Sequence, residues 1–210
     1  MNVVRPRITG VILAGGQGSR LNHQDKPLLD LGGGPIVAHI IENARGQVFR
    51  LLLNVNRNPE KYVQFQLPVI GDCKEGYTGP LAGILSAMKW CARHDQDTEF
   101  IVSFPGDVPW FPRDIVERLA TAVLSSGSET ACVRHDGQIQ PLFSLWSMQI
   151  CCKLEAALQA NVYSPMQFIR STRYVLLESK GGSANLFLNI NHPEDLEEAR
   201  RLSAEMHSQF

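Results

Sequence analysis

A glycine-rich segment near the amino terminus, followed closely by two basic residues, has the composition of a phosphate-binding loop. Its residues are Leu13, Ala14, Gly15, Gly16, Arg20 and Lys26. Glycines let backbone N–H groups approach phosphate oxygens, and the arginine and lysine add positive charge where phosphates would lie. A solvated loop without a ligand is the alternative, but the two cations within a short span favour phosphate binding.

Two well-known phosphate loops are excluded by the residues that follow. A Walker loop requires Ser or Thr after its lysine, and Lys26 is followed by Pro27. A dinucleotide fingerprint requires a third glycine where Leu21 stands. The segment is therefore not predicted to belong to a P-loop NTPase or to a Rossmann dehydrogenase.

The elements that must position this loop alternate between strands and helices. Apolar runs predict strands at 8–13, 49–55, 67–71 and 100–104, and helical spacing predicts helices at 35–44, at 79–94 and from 115 onward. Such alternation indicates an α/β fold with a mostly parallel sheet.

The pattern changes after about residue 128. Strands are predicted at 129–133, 140–146, 174–177 and 186–190, and helices at 147–160, at 165–171 and from about Pro193. We interpret residues 1–210 as a single domain with two functional halves. The half up to about 128 is expected to bind a nucleotide, and the half from about 129 an acceptor.

Polar residues stand where the early strands end, and ligands of open parallel sheets bind beyond those ends. They are Asn54, Asn56, Asp72 and Asp107. Asp72 alone is more typical of a turn. Asp107 lies between Pro105 and Pro109, which stiffen its turn, and a fixed carboxylate there suits Mg²⁺. An ordinary turn aspartate is the alternative.

Composition restricts the possible partners. The net charge of −1 gives no general attraction to nucleic acid or to anionic membranes. The five cysteines contain no Cys-x-x-Cys pair, which argues against a zinc site or a disulfide framework and fits a reducing cytosol. No apolar run approaches the length of a membrane span, so a cytoplasmic protein is expected.

A nucleotide loop, a lysine and a metal carboxylate together indicate phosphate-transfer chemistry, but they do not separate kinase, hydrolase and nucleotidyltransferase.

Five motifs in this order resemble the glycosyltransferase-like nucleotidyltransferases and, more narrowly, the molybdenum cofactor guanylyltransferases. The resemblance covers nearly the whole chain, and its residues are Leu13-Ala14-Gly15-Gly16 with Arg20 and Asp25-Lys26-Pro27-Leu28-Leu29; Asp72 with Gly79-Pro80-Leu81-Ala82-Gly83-Ile84; Pro105-Gly106-Asp107-Val108-Pro109; Gln140-Pro141-Leu142-Phe143-Ser144-Leu145-Trp146; and Asn189-Ile190-Asn191-His192-Pro193-Glu194-Asp195-Leu196. Two departures are Asn22-His23-Gln24, in place of the usual methionine–glycine segment, and His192, in place of the commoner threonine.

The resemblance implies a single-domain, Rossmann-like, three-layer α/β/α fold of the nucleotide-diphospho-sugar transferase type. It also implies that GTP is bound by Leu13, Ala14, Gly15 and Gly16. Lys26 would bind the phosphates of GTP with help from Arg20, and Asn54 and Asp72 would hold its guanosine part. Asp107 would coordinate Mg²⁺. A phosphate of molybdopterin would attack the α-phosphate of GTP and release pyrophosphate. The product would pass to molybdoenzymes or their chaperones.

Two alternatives remain open. Asn189 and Asn191 are either acceptor contacts or residues that end a strand and cap a helix. The chain itself could be a guanylyltransferase, a related nucleotidyltransferase that uses CTP or UTP with another phosphorylated acceptor, or a nucleotide-binding module without turnover. The presence of both Lys26 and Asp107 argues against the last of these.

Overall fold

Four neighbouring strands of the central sheet run parallel to one another. The computed structural model describes residues 6–15, 25–73, 79–181 and 186–207. Strands β1 (Ile8–Leu13), β2 (Arg50–Asn54), β3 (Val69–Ile70) and β4 (Phe100–Pro105) lie in the order β3-β2-β1-β4, each parallel to its neighbour. Helix α1 (Ile36–Arg45) connects β1 to β2, and α2 (Pro80–His94) precedes β4. The predicted parallel sheet is confirmed.

The sheet continues beyond β4 with a hairpin and an edge strand. Strand β5 (Thr130–His135) and strand β6 (Gln138–Ser147) are antiparallel, and β6 also pairs antiparallel with β4. Asp136 and Gly137 close the hairpin with φ angles of 45° and 83°, the left-handed backbone that two-residue hairpin turns require. Strand β7 (Tyr174–Ser179) pairs parallel with β5.

Helices cover both faces of this seven-stranded sheet and produce three layers. Alternate strand residues point to opposite faces, so buried Ile12 packs with α1, α3 (Ile115–Ser126) and α6 (Pro193–His207). Its neighbour Val11 packs on the other face with α2, α4 (Cys151–Gln159) and α5 (Pro165–Arg170). The predicted three-layer α/β/α class is confirmed.

One predicted strand is wrong. Residues 186–190 form a turn and an irregular segment instead of a strand. Phe187 has a φ of 63°, which ends the extended alternation, and its N–H donates to Trp110 O at 2.9 Å. The N–H of Ile190 donates to Asp107 O at 3.0 Å. The buried Phe187 and Ile190 produced the apolar pattern, but the segment bonds to the loop after β4 and not to a strand.

Other predicted boundaries are confirmed with small differences. The helix predicted from 147 begins with a 3₁₀ turn at Met148–Ile150, capped by Ser147, before α4 starts. The third strand is only Val69–Ile70. Within the described residues, no helix has the length and apolar composition needed to span a membrane.

Candidate active site

The carboxyl ends of β1, β2, β3 and β4 bring the predicted polar residues to one edge of the sheet. Leu13, Asn54 and Ile70 lie on successive strands in register, and Leu13 pairs with Pro105 on the other side. The N–H of Ala14 donates to Asn54 O at 2.9 Å, which fixes the start of the glycine-rich loop against β2. Gly16 and Arg20 lie outside the described residues, so their predicted roles stay predictions.

Asn54, Asn56 and Asp72 form a hydrogen-bonded cluster at this edge. The Nδ2 group of buried Asn54 donates to Asp72 Oδ1 at 3.0 Å, and Asn56 Nδ2 donates to Asp72 Oδ2 at 2.8 Å. The N–H of Asp72 donates back to Asn56 Oδ1 at 2.9 Å. Both carboxylate oxygens of Asp72 are therefore held in fixed directions and keep lone pairs that can accept hydrogen bonds from a ligand.

Two glycines make room for this cluster. A Cβ atom placed on Gly83 of α2 would lie 2.3 Å from Asn54 Oδ1, and one placed on Gly15 would lie 2.6 Å from Asn56 Nδ2. Both distances are far below van der Waals contact. The second glycine of the Gly79-Pro80-Leu81-Ala82-Gly83 motif thus lets α2 pack directly on Asn54, a requirement that helix initiation alone does not explain.

Lys26 is at the centre of a second cluster. Its Nζ donates to Asp107 Oδ2 at 2.8 Å and to Asn191 Oδ1 at 2.8 Å. The side chains of Lys26 and Asp107 are 16% and 25% exposed, so the ion pair is partly shielded from solvent but open to a ligand. Lys26 and Asp107 belong to the predicted nucleotide half and Asn191 to the predicted acceptor half. The structure thus brings together residues separated by up to 165 positions.

The structure separates the two late asparagines that the sequence grouped together. Asn191 joins the Lys26 cluster, whereas Asn189 is exposed and, in the ranges described above, forms no hydrogen bond with Lys26, Asp107 or Asn191. Asn191 therefore has the better position to meet a substrate.

Two aspartates that hold the Lys26 cluster were not predicted as site residues. Asp195 Oδ2 accepts the N–H groups of Asn191 and His192, both at 2.8 Å. The hydrogen bond from Asn191 is the main cause that holds the pKa of Asp195 below its ordinary value. In the sequence, Asp195 appeared only as part of the last of the five motifs.

Asp25 anchors the other side of Lys26. Its Oδ2 accepts from Asn58 Nδ2 at 2.8 Å and from Lys61 Nζ at 3.2 Å, both from the segment after β2. Burial raises the pKa of Asp25, but the hydrogen bonds from Asn58 and Lys61 outweigh this effect and leave its pKa below the ordinary value. Asn58 has a left-handed backbone with a φ of 49°. The contact between Asn58 and Asp25 could not be predicted from the sequence, because only the fold brings these two residues together.

The donor set suits a magnesium ion that arrives with phosphates. The described ranges contain no group of three or more His, Cys, Asp and Glu side chains that could hold a metal ion. Asp107 alone provides a partly exposed carboxylate at the predicted position. Mg²⁺ commonly takes one or two carboxylates and completes its shell with water and substrate phosphate oxygens, so Asp107 fits that ion.

Sequence comparisons identify a matching family and several relatives. Residues 10–175 match the family model described as the MobA-like NTP transferase domain. A protein of Rhodopseudomonas palustris strain BisB5 named molybdenum cofactor guanylyltransferase is 35% identical over 199 residues, which are 94% of this chain and 95% of that protein. A protein of the same name from Mesorhizobium japonicum is 35% identical over 209 residues, 98% of this chain and 100% of that protein.

Solved structures support the fold. The molybdopterin-guanine dinucleotide biosynthesis protein A of Archaeoglobus fulgidus superposes with a TM-score of 0.77 at 19% identity, covering 94% of this chain and 99% of its own. A CMP:2-keto-3-deoxy-manno-octonic acid synthetase complexed with CTP gives a TM-score of 0.73 at 16% identity, covering 95% and 99%. At these identities the likeness concerns the fold alone.

Proposed function

The chain belongs to the MobA-like NTP transferase family, and we propose that it transfers the guanylyl group of GTP to the phosphate of molybdopterin. It is a nucleotidyltransferase, because the relatives that match nearly the whole chain are named molybdenum cofactor guanylyltransferase. In the proposed reaction an oxygen of the molybdopterin phosphate forms a bond to the α-phosphorus of GTP. The bond from that phosphorus to the bridging oxygen of the β-phosphate breaks, and pyrophosphate leaves.

The observation that carries the proposal is the position of Lys26 between Asp107 and Asn191. One cation contacts a residue from each half of the chain, at the edge of the sheet where ligands of such folds bind. Attacking and leaving groups of this reaction are both phosphates, so catalysis depends mainly on alignment and on neutralising charge. The Lys26 ammonium is suited to both tasks, and no nucleophilic side chain is required.

Asp107 is the residue that would hold Mg²⁺. The ion, when bound, would neutralise charge on the phosphates and on the departing pyrophosphate. A triphosphate at this edge offers Lys26 oxygens in place of the Asp107 carboxylate, which leaves Asp107 free to act as a ligand. Asp107 supplies the single described carboxylate of this cluster, so we expect metal binding to depend on the nucleotide.

Asp72 and Asn54 would hold the guanosine part. Their side chains are fixed by the hydrogen-bonded cluster with Asn56, and the Asp72 carboxylate would offer acceptor lone pairs to the N–H and hydroxyl donors of guanosine. Leu13, Ala14 and Gly15 would contribute backbone groups. Asn191 would hold Lys26 and contact the acceptor beside it, and Asn189 lies two residues away on the exposed side of the same segment. Delivery of the product to molybdoenzymes or chaperones and a cytoplasmic location stay predictions.

Thermal unfolding with Mg²⁺ and each of GTP, ATP, CTP and UTP tests the choice of nucleotide. A ligand at 100 times its dissociation constant stabilises the folded state by about 2.7 kcal/mol, which a melting curve resolves. We expect GTP to stabilise the protein most. Selective stabilisation by CTP or UTP would move the chain to another branch of the same fold. No response to any nucleotide, with or without molybdopterin, would contradict the proposed function.

A further inference from the structure

Asp195 holds the loop that carries Asn191. It is the third residue of α6, and its Oδ2 accepts the N–H groups of Asn191 and His192 just before the helix, both at 2.8 Å. The first N–H groups of a helix have no partner within the helix. An acidic side chain at the third helical position often accepts the N–H of the residue that precedes the helix. Capping explains the bond to His192. The equally short bond to Asn191 reaches one residue further, toward the site.

The same loop is also held from its other side. The N–H of Ile190, which is fully buried, donates to Asp107 O at 3.0 Å. The backbone on both sides of the Asn191 α-carbon is therefore fixed, because Asp195 accepts the N–H groups of Asn191 and His192, and the preceding residue Ile190 is held by Asp107. With its backbone held in this way, the Asn191 side chain places Oδ1 2.8 Å from Lys26 Nζ.

We propose that Asp195 is a positioning residue that aligns the Lys26 ammonium through Asn191. The inference rests on the proposed function, because it assigns Asp195 to the step in which Lys26 neutralises phosphate charge. Asp195 touches neither Lys26 nor Asp107 through a hydrogen bond in the described structure. Its effect passes through the Asn191 backbone. Both residues belong to the last of the five motifs, beyond residue 175, where the match to the family model ends.

The ionised form of Asp195 suits this role. The hydrogen bond from the Asn191 N–H, together with that from His192 and the positive charge of Lys26, keeps the pKa of Asp195 below its ordinary value, although burial acts in the opposite direction. The carboxylate is thus charged at neutral pH. Hydrogen bonds to a charged acceptor are about twice as strong as those between neutral groups, so the loop is held firmly.

The first test compares substitutions on one turn of α6. We expect Asp195→Ala to lower kcat/KM for guanylyl transfer by about 10- to 100-fold, the usual effect of removing a group that orients an active-site residue. Asp195→Asn keeps an acceptor oxygen and is expected to recover most of the activity. Glu194→Ala is the matched control, because Glu194 is an exposed acidic residue at the neighbouring position, and it should stay within about twofold of the wild type. Thermal unfolding of each variant verifies that it is folded.

A double-mutant cycle with Asn191→Ala separates positioning from a general structural effect. If Asp195 acts through Asn191, then Asp195→Ala causes little further loss in a chain that already lacks the Asn191 side chain. If the losses of the two single variants multiply in the double variant, the proposed route through Asn191 is wrong.

The outcome for the wild type distinguishes the two proposals. If the wild type transfers guanylyl groups and Asp195→Ala is equally active, the positioning role is overturned and the proposed function stays intact. A wild-type protein that neither binds GTP nor transfers it would overturn both.

Discussion

Lys26 is the side chain on which the chemistry of the site depends most. Its charge is balanced by Asp107, and its position is fixed by Asn191. Asp25, its neighbour in the chain, is tied to Asn58 and Lys61 on the opposite side. Because Asn191 keeps Lys26 oriented, the cation needs little reorganisation when phosphate oxygens replace the Asp107 carboxylate.

Replacing Lys26 by methionine removes the ammonium and keeps most of the side-chain volume. We expect transfer to fall by about 100-fold or more, since one preorganised electrostatic contact is worth that much. Affinity for GTP should fall more than affinity for guanosine, because Lys26 is assigned to the phosphates. Initial rates and calorimetric titrations with both ligands measure the two effects.

Lys153→Met is the matched control for this change. Lys153 lies on α4, where its ammonium hydrogen-bonds to the Ser171 carbonyl oxygen, and its loss should leave transfer unchanged. Equal losses of GTP and guanosine affinity in Lys26→Met would show that Lys26 does not act on the phosphates.

At the scale of secondary-structure elements, the close approach of α2 to the end of β2 sets the shape of the proposed guanosine site. Gly83 of α2 faces Asn54, the last residue of β2, with no space for a methyl group between them. Asn54 in turn holds Asp72 after β3. The packing of one helix on one strand end therefore controls the orientation of a proposed guanosine contact.

Gly83→Ala tests this packing. Alanine favours a helix over glycine by about 1 kcal/mol, but its Cβ would lie 2.3 Å from Asn54 Oδ1 and force Asn54 away from Asp72. We expect the free energy of unfolding to fall by about 1–3 kcal/mol, as for other overpacked cores. Nucleotide affinity should fall as well, as measured by calorimetry.

Gly46→Ala serves as the comparison. Gly46 follows α1 with a φ of −75°, and a Cβ there would meet nothing within 4 Å. Its substitution should leave nucleotide affinity unchanged and stability equal or slightly higher. Wild-type nucleotide affinity in Gly83→Ala would show that the contact with Asn54 is not needed.

The amino terminus of α6 gives a prediction about acid stability. The pKa of Asp195 is held down first by the Asn191 N–H, with His192 and Lys26 as the charged or titratable groups that face it. A carboxylate whose folded pKa is below its unfolded value of about 3.9 stabilises the protein above that value, and the contribution is lost as the pH falls through the folded pKa. Asp195→Asn should therefore be less stable than the wild type near neutral pH, with a gap that narrows below about pH 4. Urea unfolding across this range measures the gap, and a gap that stays constant would contradict the assignment.

At the scale of the whole molecule, strong local patterns predicted most of the architecture. β1 was predicted with the exact limits Ile8–Leu13, because a buried parallel strand is an uninterrupted apolar run. The helical spacing of Leu81, Leu85 and Met88 located α2 to within one residue. Asn54, Asp72 and Asp107 were found because strand ends in a parallel sheet meet at one edge.

Features that depend on contacts distant in the sequence could not be predicted in this way. The antiparallel direction of β6 follows from a tight turn at Asp136 and Gly137, a hairpin signal that the sequence contains but that the apolar runs alone do not reveal. Residues 186–190 have the apolar content of a strand, yet their N–H groups bond to the loop after β4. The hydrogen bond from the Asn191 N–H to Asp195 belongs to a local cap of α6. Asp195 gains a role in the site only because the fold brings the distant Lys26 beside Asn191.

Transfer of radiolabel from α-labelled GTP to molybdopterin, measured with the wild type and with Asp107→Asn, tests the proposed reaction most directly. We predict that the wild type forms a labelled dinucleotide and releases one pyrophosphate for each transfer. The Asp107→Asn variant should melt near the wild-type temperature, because Asp107 is partly exposed, yet lose transfer by about 100-fold or more. A product labelled only from CTP or UTP, or a fully active Asp107→Asn variant, would contradict a guanylyl transfer that depends on this edge of the sheet.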